Sequence, residues 1–586
     1  PGIVPRSSNI SLVQATTSAD NLNEHRIHST RWGVIAHLAI IFVAVFICYA
    51  NTLNHNFVYD DKDEMLENPI IHSLRNVPRF FTTSTYGYYR PLRTLVWAID
   101  YAFWKEKPSG YHMTNLILYV FACWSLYWFL VLLFQNHAQA LITSLLFLTH
   151  PIHTESIAWI SGRGDPLAAT FLFLSLCCTI RWAHNSPARG RSKGFGLWAV
   201  AMILFVFSVL SKESGITLPI ILIALTACSH REQPLVRRRL LWSATASGVI
   251  LLLLILLRFH VLRSLTPSNS PINDSRWNNV LFAAMAFWRY VGLMAVPVNL
   301  SADYPAAESL ILNGSSVVSA ILGHIAVTTL VAVLIVKRRT GACFAIVWIY
   351  ATYLPVSNLV PLNQSFSEKY MFLPVLGMCI LLGTLWTLPL PKTQTRTLRI
   401  FLGVLLIFYT VATIQRNKVW KDEVTLWTRT LSDQPESGLA AYNLACEYDR
   451  LGQSEKAIQY YLRAISLRPE DARQYQNLGN LYLNLNRMTD AIECYKKTIS
   501  MGLVTPHVYA ALGAAIASLG HLKQGQAIVE KSLDMNPNYV PGLYNLSLIL
   551  RDRGMTDEAD KVLERAHQLN PSVGTQRRGW IQTRNN

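Results

Sequence analysis

Apolar runs of membrane-spanning length recur along the first two thirds of this chain. A helix needs about 17–25 mostly apolar residues to cross a bilayer. The runs begin near residues 34, 113, 138, 166, 196, 215, 240, 317, 341, 370 and 398. Charged residues make up 15% of the chain, compared with about 25% in an average soluble protein. The sequence therefore predicts an all-α, polytopic membrane domain with about eleven spans.

Basic residues between the apolar runs predict which loops face the cytoplasm. Clusters precede the first run and follow the fourth, sixth, eighth and tenth: Arg26 and Arg31; Arg189, Arg191 and Lys193; Arg237, Arg238 and Arg239; Lys337, Arg338 and Arg339; Lys392, Arg396 and Arg399. The positive-inside rule places these loops in the cytoplasm. The apolar stretch 280–298, interrupted by Arg289, must then be an interfacial or re-entrant helix. We expect the N-terminus inside and the C-terminus outside.

A strict period of 34 residues follows the apolar runs. Leucine recurs in register at one position, and glycine or asparagine at another: Leu444, Leu478, Leu512 and Leu546; Gly452, Asn486, Gly520 and Gly554. This period is typical of tetratricopeptide repeats, in which helix pairs stack into a superhelix with a concave groove. We therefore predict four repeats that dock a protein partner on the non-cytoplasmic side.

The predicted domain order follows from these two patterns. It comprises a disordered cytoplasmic tail (1–33), a membrane domain (34–415), a linker (416–436), four repeats (437–572) and a C-terminal tail (573–586). The nine cysteines show no CxxC spacing, which argues against a disulfide framework or a cysteine metal site. The formal net charge of +17 lies partly in loops beside apolar runs, so we expect contact with membrane lipid and no nucleic-acid partner.

Two adjacent carboxylates, Asp60 and Asp61, lie about ten residues after the first apolar run, on the predicted outer face. A carboxylate within hydrogen-bond reach can act as a general base toward a hydroxyl group. The fork of an arginine such as Arg90 suits phosphate oxygens. These residue types therefore suit transfer from a phosphate-linked donor. The alternative is an ordinary Asp-Asp turn that caps a helix starting near Lys62.

Further polar residues fall on the same predicted face. These substrate-site candidates are Tyr89, His150, His153, Glu155, Arg163, Lys212, Glu213 and Glu368, with Lys369 as a second phosphate ligand beside Arg90. Two histidines and a carboxylate invite a divalent metal, but a further ligand at suitable spacing is missing, so no metal ligands are assigned. A polar network or a contact with the donor headgroup is the alternative.

Two pairs of neighbouring charges each leave two interpretations open. Lys212 and Glu213 lie between apolar runs, either as a mutually neutralised bridge or as substrate contacts. Arg163 and Asp165 lie on one turn, either as partners in the site or as an exposed surface pair.

Several segments of the predicted outer loops carry a resemblance to known proteins. They are Phe57-Val58-Tyr59-Asp60-Asp61, Tyr89-Arg90-Pro91-Leu92, Tyr111-His112-Met113-Thr114-Asn115-Leu116, the run from His150-Pro151 to Gly162-Arg163, Ser211-Lys212-Glu213 and Leu300-Ser301-Ala302-Asp303-Tyr304. Together they resemble one family, the transmembrane and tetratricopeptide-repeat (TMTC-like) protein O-mannosyltransferases. The resemblance implies a GT-C glycosyltransferase fold. It also implies a polyprenyl- or dolichyl-phosphate sugar donor and a Ser or Thr acceptor on a protein.

The resemblance further implies that Asp60 is the catalytic base and Asp61 its neighbour. Glu368-Lys369-Tyr370 stands where the family more often has Glu-Arg-Tyr, and animal members usually carry more than four repeats. A bacterial member with periplasmic repeats and a eukaryotic one with repeats in the endoplasmic reticulum lumen both stay open. So do two other functions: a non-catalytic membrane scaffold that assembles an envelope complex, and a transporter of lipid-linked sugar.

Overall fold

The computed structural model describes residues 23–185, 191–228, 233–263, 276–305, 314–337, 340–362 and 364–573. The chain divides into two compact units, Pro1–Leu426 and Trp427–Asn586. This division falls inside the segment 416–436 that the sequence predicts as a linker. Residues 1–22 and 574–586, which make up most of the two predicted tails, lie outside the described residues.

The described part of the first unit is helical, and the all-α prediction is confirmed. It contains one isolated β-bridge, between Thr85 and Tyr88, and no named strand. The helices are α1 (Asn23–Tyr49), α2 (Val77–Phe80), α3 (Pro91–Trp104), α4 (Pro108–Phe134), α5 (His137–Thr149), α6 (Thr154–Ala158), α7 (Gly164–His184), α8 (Arg191–Ser211), α9 (Leu218–Cys228), α10 (Pro234–Leu262), α11 (Arg276–Ala295), α12 (Gly314–Val336), α13 (Thr340–Tyr353), α14 (Val375–Thr384) and α15 (Lys392–Asn417).

The predicted apolar runs coincide with helices. Within the described residues, six helical segments are long and apolar enough to cross a membrane: Trp32–Asn54, Pro108–Phe134, Ile160–His184, Pro234–Leu262, Gly314–Val336 and Lys392–Trp420. The same residues include five shorter apolar helices: His137–Thr149, Phe195–Ser211, Glu213–Cys228, Thr340–Val356 and Val375–Thr387. The multi-pass membrane character is confirmed at this level. The number of crossings and their sidedness stay predictions, as does the placing of α11 at the interface.

The first helix begins earlier than the sequence predicts. Helix α1 starts at Asn23, so residues 23–33 continue the apolar anchor as helix instead of belonging to a disordered tail. Its core-facing side chains, such as Ile41, Val45 and Tyr49, are fully buried. Others, such as Val43 and Ile47, are more than half exposed. Such an apolar exposed face suits a lipid environment.

The long segment between α1 and α4 is folded against the helices. A turn of π-helix, Lys62–Leu66, and the helices α2 and α3 lie within it. They share a small apolar core with the turn before α7, built from Phe57, Met65, Trp97, Tyr111 and Ile160. The predicted polar loop is therefore held in place by its own buried side chains.

The second unit contains the repeats, and the tetratricopeptide prediction is confirmed. Helix α16 (Glu423–Asp433) crosses the division at residue 426 and is followed by α17 (Gly438–Arg450), α18 (Ser454–Leu467), α19 (Ala472–Asn484), α20 (Met488–Ser500), α21 (Pro506–Ser518), α22 (Leu522–Met535), α23 (Val540–Asp552) and α24 (Thr556–Leu569).

The recurrent glycine or asparagine has a conformational cause. Gly452, Asn486, Gly520 and Gly554 each lie in the turn inside a helix pair, with φ of +72°, +58°, +90° and +80°. Glycine adopts this left-handed conformation without steric cost, and asparagine tolerates it better than most residues. A second recurrence follows the same period. The side chains of Ser437, Asp471 and Thr505 each cap the helix that opens their unit.

Candidate functional site

The two adjacent carboxylates of the first loop have different environments. Asp61 is fully buried, and all its hydrogen bonds hold the loop. Its Oδ2 accepts from the Val58 N–H at 3.1 Å, and its Oδ1 accepts from the Ser161 N–H at 2.9 Å and from Ser161 Oγ at 2.8 Å. The Asp61 side chain makes no cap bond to the helical turn at Lys62, so the helix-capping alternative is wrong for it.

Asp60 is only half-buried, and its carboxylate has no hydrogen-bond partner within the described ranges. Burial raises its pKa to about 7, with a contribution from the Glu64 charge, while Lys369 and Arg93 act in the opposite direction. Burial also raises the pKa of Asp61 to about 8, against the effect of the hydrogen bonds it accepts. Asp60 is thus the member of the pair that is available to an incoming group.

Arg90 is part of a three-residue ion cluster. Its Nη2 lies 2.6 Å from Oε2 of Glu213, and Arg258 from α10 lies 2.6 Å from the other oxygen. The Arg90 guanidinium also lies over the ring of Tyr88, 4.3 Å from its centroid. Two cations share one carboxylate, so the cluster has one surplus positive charge. A phosphate group would compensate that charge.

Lys369 is held by polar groups from two segments. Its Nζ lies 3.1 Å from Oε1 of Glu155 and donates to Gln364 at 2.6 Å. It also lies 4.9 Å from the centroid of the Trp159 ring. The Glu155 carboxylate accepts in addition from Ser367 Oγ and from the backbone N–H of Lys369. Lys369 therefore lies close enough to Asp60 to affect its pKa but is already neutralised by Glu155.

Arg163 and Asp165 do not pair with each other, and the exposed surface pair is wrong because both are buried. Arg163 is fully buried and pairs with Asp100 of α3 at 2.5 Å. Asp165 instead pairs with Lys212 at 2.6 Å. Lys212 and Glu213 likewise do not neutralise each other, since each bonds to charges elsewhere in the unit. A buried charge needs a close partner, which here comes from a distant segment.

The run from His150 to Arg163 folds back on itself between α5 and α7. A Cβ atom on Gly162 would lie 2.6 Å from the carbonyl oxygen of Glu155 and 2.9 Å from Cα of Ser156, so a side chain does not fit there. Asn115 Nδ2 donates to the carbonyls of Ile157 and Trp159 in this run, at 3.0 and 3.1 Å. The tight turn presents Glu155 toward Lys369 and Ser161 toward Asp61.

The two histidines of this run are buried. His150 Nε2 lies 2.9 Å from the Met294 carbonyl oxygen, and burial lowers the pKa of His150 to about 4. His153 packs between the rings of Phe147 and Phe372, with centroids 4.4 and 4.6 Å away. No group of three or more His, Cys, Asp or Glu side chains suited to a metal occurs in the described ranges.

Glu368 and Tyr89 both lie in the interior. Glu368 Oε1 accepts from the Tyr304 hydroxyl at 2.6 Å and lies 3.4 Å from Arg416. Burial raises the pKa of Glu368 to about 7, with Arg416 opposing the shift. The Tyr89 hydroxyl donates to the Phe81 carbonyl at 3.0 Å and braces the loop, whereas its neighbour Tyr88 contacts Arg90.

Some residues at this site are not among the sequence candidates. Arg258 lies inside an apolar run. A charge in that position could have marked it as a candidate, but the sequence does not show that its partner is Glu213. Asp100 is likewise a charged residue between apolar neighbours, in helix α3. Glu423 falls in the predicted linker, yet its Oε1 accepts from the Tyr59 N–H at 3.0 Å. The segment 416–423 therefore packs on the first unit and does not act as a free linker.

The tetratricopeptide repeat family model matches residues 440–471, 472–501 and 540–573. The crystal structure of YrrB, a TPR protein with an unusual peptide-binding site, is 20% identical over 25% of this chain and 76% of its own, with a TM-score of 0.23. That score is too low to support an argument.

Among curated proteins, the chain is similar to protein O-mannosyl-transferases. It is 25% identical to protein O-mannosyl-transferase F38B6.6 of Caenorhabditis elegans over 70% of this chain and 59% of that protein. It is also 25% identical to protein O-mannosyl-transferase TMTC3 of Homo sapiens, over 73% of this chain and 51% of that protein. The predicted resemblance to TMTC proteins is confirmed, and the chain spans between half and three fifths of the length of these two relatives.

Proposed function

We propose that this chain is a membrane glycosyltransferase that transfers a sugar from a polyprenyl-phosphate donor to Ser or Thr of a protein on the non-cytoplasmic face. The names of its relatives suggest protein O-mannosylation, with mannose as the sugar. One observation supports the chemistry most directly. The half-buried Asp60 has no hydrogen-bond partner within the described ranges. The same unit holds a cluster of Arg90, Glu213 and Arg258 with a surplus positive charge.

The reaction is a direct displacement with inversion at the anomeric carbon. Asp60 takes the proton of the acceptor hydroxyl as its oxygen forms the new bond to that carbon. The bond from the anomeric carbon to the phosphate oxygen breaks, and its electron pair leaves with the lipid phosphate. Arg90 and Arg258 stabilise the negative charge on the departing phosphate. Lys369 is less effective there because Glu155 already neutralises it.

The repeats bind the acceptor protein in this proposal. Tetratricopeptide superhelices present a concave groove to peptides and rarely carry out chemistry themselves. The repeat unit supplies docking, and the first unit supplies the carboxylate and the cations.

The test is the Asp60→Asn variant in proteoliposomes that contain radiolabelled polyprenyl-phosphate mannose and an acceptor protein. Loss of a general base lowers the rate of transfer by about 10²–10⁴-fold. The matched control is Asp63→Asn in the same loop. It removes an exposed carboxylate and leaves the rate within about twofold, as expected for a surface substitution outside the chemistry. Transfer by Asp60→Asn at the rate of the native chain would overturn the proposal and favour the scaffold alternative.

A further inference from the structure

Tyr59, the residue before Asp60, has an unfavourable backbone conformation. Its φ is +55°, in the left-handed region that bulky side chains seldom adopt. Such a conformation persists only where the surrounding structure holds it in place. The bend at Tyr59 sets the direction in which the chain enters Asp60 and Asp61.

A carboxylate more than 350 residues later in the chain holds this bend. Oε1 of Glu423 accepts the Tyr59 N–H at 3.0 Å and lies 3.4 Å from Nζ of Lys62. The Glu423 side chain is 13% exposed, so water competes little for this oxygen. Nearby, the Asn56 N–H donates to the Lys421 carbonyl at 2.9 Å. Residues 421–423 thus bond to the loop both before and after Tyr59.

Aromatic contacts join the same segment to the candidate site. Trp420 stacks on Trp159 with ring centroids 5.9 Å apart and planes inclined by 23°. Tyr59 packs on Trp159 at 5.6 Å, and Nζ of Lys369 lies 4.9 Å from the same ring. The segment 420–423 therefore contacts the Asp60 loop through hydrogen bonds and the Lys369 side through Trp159.

We infer that Glu423 is a positioning residue for transfer: it fixes the left-handed bend at Tyr59 and thereby the direction of the Asp60 carboxylate. The inference rests on the proposed function of Asp60. Asp61 is anchored separately by Val58 and Ser161, so the loop stays attached when Glu423 is lost. The orientation of Asp60, and not the fold of the loop, is what Glu423 supplies.

Three variants test this role by kinetics. Glu423→Ala lowers kcat by about 10–100-fold, as expected when a reacting group is displaced by about 1 Å. The KM for polyprenyl-phosphate mannose stays unchanged, because the substitution does not alter Arg90 and Arg258, which bind the phosphate in the proposed function. Glu423→Gln keeps an oxygen that can accept the Tyr59 N–H and recovers most of kcat. Asp433→Ala on the same helix removes a carboxylate that is about as buried as Glu423 but pairs only with the exposed Arg429, four residues before it, and it retains native kcat.

The Tyr59→Gly background shows whether the effect passes through the bend. Glycine adopts a positive φ freely, so it does not need Glu423 to hold it. The additional loss of kcat caused by Glu423→Ala is therefore much smaller in the Tyr59→Gly chain than in the native chain. An equal loss in both backgrounds would overturn the inference, as would native kcat in Glu423→Ala.

Amide hydrogen exchange separates this inference from the proposed function. Exchange of residues 56–62 is measured without donor or acceptor, in the native chain and in Glu423→Ala. Faster exchange at Tyr59 in the variant supports the holding role even if no transfer of mannose is detected. Unchanged exchange at Tyr59 would overturn it, whatever the outcome with Asp60→Asn.

Discussion

Ion pairs in the two units of the chain differ in reach and in burial. In the first unit, Arg163 pairs with Asp100 at 2.5 Å and both side chains are almost inaccessible to water. In the repeats, Arg487 pairs with Asp490 three residues along the same turn, and both side chains are about half exposed. The first kind of pair joins segments that are distant in the sequence, whereas the second joins neighbouring residues on the protein surface.

The difference indicates what the charges do in each unit. Removal of an ion from water costs several kcal/mol, so a buried pair survives only with close geometry and added hydrogen bonds. Asp100 also accepts from Thr114 at 2.7 Å, and Arg163 donates to the Tyr111 carbonyl at 3.1 Å. Such pairs position the loops that carry the candidate site. Exposed pairs contribute little to the free energy of unfolding.

The largest expected effect comes from breaking the buried pair. Asp100→Ala leaves the Arg163 guanidinium buried without a carboxylate, which lowers the free energy of unfolding by about 3–5 kcal/mol. Thermal or denaturant unfolding in detergent measures this loss. The double variant Arg163→Met with Asp100→Leu recovers most of it, because no unpaired charge remains. A loss no larger than that of an exposed pair would erase the contrast between the units.

A smaller effect separates the adjacent carboxylates within the loop. In Asp61→Asn an NH2 group replaces one of the two acceptor oxygens and faces the N–H of Val58 or Ser161, which then has no acceptor. This lowers the free energy of unfolding by about 1–3 kcal/mol. Asp60→Asn has no such bond to lose and removes a carboxyl whose burial favours the unfolded chain above pH 3.8, so it does not lower the free energy of unfolding. The order reverses for transfer, where Asp60→Asn is the more damaging. Equal stability losses would contradict the separate roles of the two residues.

The pH dependence follows from the same burial. The folded pKa values of Asp60 and Asp61, about 7 and about 8, lie above the ordinary 3.8, so the folded chain keeps these protons longer than the unfolded chain. Their stabilising contribution is complete below pH 3.8 and is lost as pH rises through 7 and 8. The slope is at most about 1.4 kcal/mol per pH unit for each carboxyl.

Transfer changes in the opposite direction over this range. The rate rises as Asp60 ionises near pH 7, since only the carboxylate accepts a proton. Melting temperatures and transfer rates measured from about pH 5 to pH 8 check both signs. In the Asp61→Asn variant the transfer rate depends on pH as in the native chain, whereas the free energy of unfolding depends less steeply on pH. A rate that falls across the range would contradict the role of Asp60 as a base.

The smallest effect is expected in the repeats. Asp490→Ala removes the exposed pair with Arg487 and changes the free energy of unfolding by at most about 0.5 kcal/mol. Transfer stays at the native rate. Unfolding measured beside Asp100→Ala gives the ratio of the two effects. A loss of several kcal/mol from Asp490→Ala would show that the repeats also depend on surface charge.

The repeats were largely predictable because their constraints are local. A left-handed turn inside each helix pair favours glycine or asparagine, so the spacing of residues such as Gly452 and Asn486 shows the 34-residue period directly. The caps at Ser437, Asp471 and Thr505 follow the same 34-residue spacing and could have been read as helix starts. A turn or a helix cap is formed by residues that are adjacent in the sequence, so its residue preferences can be recognised from the sequence alone.

The site in the first unit was predictable in residue type but not in pairing. The loop carboxylates and Arg90 are conspicuous beside apolar runs. The residues around them are not, because Arg258, which shares Glu213 with Arg90, and Glu423, which accepts from the Tyr59 N–H, lie in distant segments and nothing local marks the contact. The ranking of Asp60 over Asp61 likewise depends on Ser161, a hundred residues away. Sequence spacing does not report which of two identical side chains points into the protein.

The tight turn at Gly162 has a consequence for tracing descent. Because backbone atoms of Glu155 and Ser156 occupy the space where a side chain would begin, any chain that keeps this turn must keep glycine there. The position is therefore a fixed point for aligning sequences too diverged to match elsewhere, and it sets the register in which a base equivalent to Asp60 should be sought.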